Sequence, residues 1–139
     1  MRILLVLLCA IVFATGVQAQ SFDGSYVGKI TCGVLTSVNR PLSVDFSMKV
    51  SGSEATYERE IVRPSGAASA RTGSYERGTG TVSPSGEVTL HGKGEGSFVF
   101  ESEYRGQIAG SSVQLTGAQR WQGRSANESR SCQIELKRL

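Results

Sequence analysis

The stretch PLSVDFSMKVSGS (Pro41–Ser53) decides the fold class. Leu42, Val44, Phe46, Met48 and Val50 alternate with Ser43, Asp45, Ser47, Lys49 and Ser51. Successive side chains of a β-strand point to opposite faces, so this run has one apolar and one polar face. A helix would scatter the same residues around its circumference. The alternation stops at Ser51-Gly52-Ser53, a turn sequence at hairpin spacing.

The same period recurs on both sides. Tyr26, Gly28, Ile30 and Cys32 share a face in FDGSYVGKITC (Phe22–Cys32). EATYEREIV (Glu54–Val62) sets Ala55, Tyr57 and Ile61 against Glu58 and Glu60. Arg59 falls on its apolar side, which means a shifted register or a buried charge. GSYERGTGTV (Gly73–Val82) is a weaker, glycine-rich strand. EVTLHGKG aligns Val88, Leu90 and Gly92, and SFVFESEYRGQI aligns Phe98, Phe100, Tyr104 and Gly106. SVQLTGAQRW aligns Val113, Leu115, Gly117 and Trp121, and SCQIELKRL aligns Cys132, Ile134 and Leu136. About eight strands are expected. Further turns fall at Pro84-Ser85-Gly86 and Ala109-Gly110-Ser111, and longer links at 33–41, 63–72 and 122–129.

Short connections make sequence neighbours into spatial neighbours, which predicts an all-β antiparallel up-and-down meander. A sheet with one apolar face must close on itself or pack on another sheet. Closure removes exposed edges, and about eight strands suit a barrel filled by side chains or holding one small ligand. A β-sandwich is the alternative. The inner-face glycines Gly28, Gly92, Gly106 and Gly117 leave open whether the interior is filled or hollow.

MRILLVLLCAIVFATGVQA (residues 1–19) has the form of a secretory signal: Arg2, an apolar run from Ile3 to Ala14, and a small residue at a cleavage position. The apolar run is too short to span a bilayer, so no membrane span is expected after cleavage. Residues 20–139 then form a single domain. Without Arg2 that domain carries 14 basic and 12 acidic residues, far from the basic clustering of a nucleic-acid-binding protein.

Cys9 departs with the signal, leaving Cys32 and Cys132. An even pair in an exported chain predicts a disulfide. Two cysteines and a single histidine make a poor metal site, and no metal or cofactor is expected. In a closed barrel the first and last strands pair antiparallel, placing the end of one beside the start of the other. Cys32 and Cys132 occupy those places on the inner faces, so the expected cross-link and the expected closure agree.

The opening Phe22-Asp23-Gly24-x-Tyr26-x-Gly28, with Cys32 and the late Cys132, resembles a group of small exported proteobacterial proteins that begin F-D-G-x-[YW]-x-G. The resemblance covers the two ends of the domain. It implies a periplasmic or secreted location and brings no activity or site residues.

Candidate site residues are few. His91 is the one candidate general base, but its alternation with Leu90 and Gly92 puts it on the outer face, exposed to solvent. The serine-rich stretches SPSGE and GSS are turns rather than nucleophile elbows. An enzyme is not expected. QRWQGRSANESR (Gln119–Arg130) gathers Arg120, Trp121, Arg124 and Arg130, an aromatic flanked by guanidiniums suited to stacking and bidentate contacts. Trp121, Arg120, Arg124 and Tyr104 are the candidate ligand-binding residues. The expected function is non-enzymatic binding of a small apolar or amphipathic ligand in the cell envelope. The alternative is an envelope protein–protein interaction module, an inhibitor or accessory subunit acting through its loops.

Overall fold

The computed structural model describes residues 20–37, 40–65, 68–97, 99–122 and 127–139. The expected signal segment, Phe98 and Arg124 lie outside the described residues. Eight antiparallel strands run β1 (Gly24–Cys32), β2 (Leu42–Ser51), β3 (Glu54–Ser65), β4 (Ala68–Val82), β5 (Glu87–Gly94), β6 (Phe100–Ala109), β7 (Ser112–Gln122) and β8 (Asn127–Arg138). Each pairs with the next, and β1 pairs with β8 from Tyr26↔Arg138 to Cys32↔Cys132, closing the barrel. The sandwich alternative is thereby set aside. Among the described residues no helix is long and apolar enough to cross a membrane.

Two of the expected links are shorter than the sequence suggests. β3 continues to Ser65 and β4 begins at Ala68, paired from Val62↔Arg71 to Ser65↔Ala68, so most of the expected 63–72 link is strand. Small residues there carry no alternation to read, yet the ladder propagates from the patterned half of the hairpin. Likewise β8 starts at Asn127, opposite Gln122.

The hairpin end of the barrel is built for tight closure. Gly52-Ser53 and Gly110-Ser111 are two-residue turns, with the glycines at φ 62° and 60°, the left-handed region that glycine enters without strain. Phe22 is buried beneath this end, and the Tyr26 hydroxyl donates to its carbonyl at 2.6 Å. Asp23 accepts from the Gly52 amide at 2.6 Å. The Phe22–Tyr26 stretch therefore closes one end of the fold. Above it, Ile30, Met48, Val50, Val88, Leu90, Val113, Leu115, Ile134 and Leu136 form the buried apolar core.

The space beside the inner-face glycines is filled. A Cβ at Gly28, Gly106 or Gly117 would lie 1.8–2.0 Å from a carbonyl oxygen of the neighbouring strand, and one at Gly92 would lie 2.0 Å from the Tyr57 hydroxyl. These glycines permit close backbone approach rather than leaving room. Gly117→Ala is expected to lower stability by about 1–3 kcal/mol through overpacking, measured as a shifted urea midpoint at unchanged slope.

Cys32 and Cys132 face each other across the β1–β8 ladder with their sulfurs at bonding distance, 2.02 Å.

One ladder is incomplete. β2 and β3 pair only from Met48↔Tyr57 to Ser51↔Glu54. Beyond that point β2 stays with β1 and β3 stays with β4. An irregularity between Glu60 and Val62, with Gly73 at φ 68° opposite it, accompanies the split, as bulges bend the strands that carry them. A cleft separates the two strands toward the loop end.

Candidate functional site

The half of the interior toward the loops is polar. Glu76 projects inward from β4 and is completely buried. Its Oε1 accepts from the hydroxyls of Tyr57 (2.8 Å), Ser102 (2.6 Å) and Tyr104 (3.0 Å). Its Oε2 lies 2.5 Å from Arg59 Nη2 and accepts from Gln119 Nε2 at 3.3 Å. Gln119 Nε2 also donates to the Tyr104 hydroxyl at 2.9 Å, and Gln119 Oε1 accepts from Arg130 Nε at 2.8 Å. Low-dielectric surroundings strengthen each bond and raise the penalty for any member left unmet. Burial, and then the Glu76 charge, push both tyrosine hydroxyls well above their usual range, so they remain neutral donors. With five donors on its two oxygens, Glu76 is a structural counter-ion rather than a free general base.

This cluster holds more positive than negative charge. Arg59 and Arg130 face inward against the single carboxylate of Glu76. Glu128, two residues before Arg130 on β8, is turned to Ser37 and accepts from its amide at 2.9 Å and from its hydroxyl. The Arg59 side chain is 4 % exposed, and its Nε has no hydrogen-bond partner among the described residues. Arg130 sits 5.5 Å above the Trp121 ring, which itself stacks on Phe100 at 4.2 Å. Burial, and then repulsion from Arg59, lower the Arg130 guanidinium to about 10, so it stays charged at neutral pH.

The β2–β3 cleft, about 820 Å³, meets this cluster at Arg59. Val27, Val44, Phe46 and Val62 give it an apolar lining, and Arg59 stands in its wall. Its rim charges are already matched, with Lys29 3.8 Å from Asp45 and Arg71 3.1 Å from Glu60. A second groove of about 800 Å³ runs over the outer surface of β2–β5 past Lys49, Arg77 and His91. There Arg77 is bound by both Glu58 (2.5 Å) and Glu95. The cleft sets apolar surface beside a buried arginine whose Nε has no hydrogen-bond partner among the described residues, and the outer groove does not.

The structure separates the residues that the sequence groups. Trp121 lies at the loop end beside the cluster, half-buried. Tyr104 is inside the cluster, wholly buried and committed to Glu76 and Gln119. Arg120 is exposed on the opposite face of β7, beside Glu101 of β6. His91 is exposed, 3.9 Å from Glu103. Nothing in the strand pattern singles out Glu76, Ser102 or Gln119, and it marks Arg59 only as an ambiguity. Among the described residues no group of three or more His, Cys, Asp or Glu side chains is placed to hold a metal ion. Comparison with known protein families, curated proteins and solved structures finds no match to this chain.

Proposed function

We propose that this protein is an exported, non-enzymatic binding protein that takes a small amphipathic ligand into the cleft between β2 and β3. The observation that carries the reading is the early end of the β2–β3 ladder, which leaves Val44 and Val62 half-exposed beside a buried arginine. Apolar concavities with a few convergent polar groups are the usual form of small-ligand sites. The signal-like residues 1–19 and the paired cysteines support the exported location. Val44→Lys is expected to weaken binding of a medium-chain alkyl ligand by about tenfold or more while leaving the fold intact, since this position is only half-buried. Calorimetry on both proteins checks it, and equal affinities would remove the cleft from consideration.

A second reading, a protein partner, draws on the same feature. Past Met48 the β2 edge toward β3 has no partner strand, and such edges accept added strands. Co-purification of a protein lost on introducing proline at Asp45 would favour it over the small-molecule reading.

A further inference from the structure

We propose that the polar end of the ligand is an anionic headgroup, carboxylate or phosphate in its chemistry, bound by Arg59 and Arg130 at the loop end of the barrel. This rests on the cleft being the binding site. Three observations carry it. Two inward guanidiniums face one buried carboxylate, so the cluster has an unbalanced positive charge. Arg59 Nε is buried without a partner among the described residues, an arrangement that costs stability unless an acceptor fills it. Arg130 uses only Nε within the cluster, and among the described residues its terminal nitrogens meet no acceptor. Guanidinium groups bind carboxylate and phosphate oxygens through short, paired, charge-assisted bonds.

The geometry also sets the shape of the ligand. Arg59 stands in the wall of the cleft, Arg130 lies behind it in the same cluster, and the outer rim is already ion-paired. An anionic head therefore goes inward, and an aliphatic or aromatic body lies along Val27, Val44 and Val62. A zwitterionic or cationic head would bring a positive charge against Arg59 and Arg130.

The test uses decanoate, decanol and inorganic phosphate with the signal-processed protein and its Arg130→Gln variant, by calorimetry at neutral pH. Arg130 is half-buried at the loop end, so its variant is expected to fold, which circular dichroism verifies. Decanoate is expected to bind about tenfold tighter than decanol, and Arg130→Gln is expected to erase that preference while leaving decanol unchanged. Equal binding of decanoate and decanol by the unaltered protein would overturn the anionic headgroup and leave the cleft standing. A decanoate preference that survives Arg130→Gln would overturn the assignment to Arg130. Phosphate binding without either alkyl ligand would keep the anion site and remove the cleft. No binding of any of the three would overturn both.

Discussion

Glu76→Gln is expected to lower the stability of the barrel by about 3–5 kcal/mol, the usual penalty for breaking a buried ion pair from one side. The loss arises less from the missing attraction than from what stays behind: Arg59, 4 % exposed, with no second ion-pair partner among the described residues. Tyr57, Ser102 and Tyr104 would still find an amide oxygen at the Oε1 position, so their hydrogen bonds weaken rather than vanish. Domains of this size have only about 5–15 kcal/mol in total, so the melting temperature should fall by roughly 10–20 °C. Adding Arg59→Met to Glu76→Gln should recover part of the loss, because it removes the stranded charge. A single variant as stable as the unaltered protein would show that Arg59 finds another partner.

Breaking the Cys32–Cys132 link is the second large effect. The two residues are 100 positions apart, a loop for which chain entropy gives about 4–5 kcal/mol. The link also joins the first and last strands at the one seam where no turn holds them together. The double Cys32→Ser, Cys132→Ser variant should therefore melt well below the oxidised protein. Its denaturant slope should be steeper, because the unlinked denatured chain exposes more surface. The same melting curve with and without reductant would contradict this.

The barrel is legible in the sequence because its alternation is nearly unbroken where strands are long and amphipathic, as from Leu42 to Ser51. Closure is legible because the two cysteines mark the strands that must meet. The site is much less so, for a physical reason. Arg59, Glu76, Ser102 and Gln119 all stand at inward positions within strands, where the period calls for an apolar side chain. Each reads as a local interruption: Ser102 between Phe100 and Tyr104, Gln119 between Gly117 and Trp121. Only the closed sheet shows that three of these interruptions, on three strands, converge on the fourth, the Glu76 carboxylate. Adjacency along the chain groups Arg120 with Arg130, yet the two belong to opposite faces of the sheet. The β2–β3 cleft is nearly silent in the sequence: β2 alternates without a break from Leu42 to Ser51, and in β3 only Arg59 disturbs the pattern, while their mutual pairing ends at Met48↔Tyr57.

The most direct test of the account is an amide-resolved NMR titration of the oxidised protein with decanoate. Saturable shifts confined to Val44, Arg59, Val62, Arg130 and their strand neighbours are the predicted result, placing an anionic amphiphile in the cleft. Saturable shifts centred on the outer surface around Lys49 and His91, or no saturable shifts at all, would contradict it.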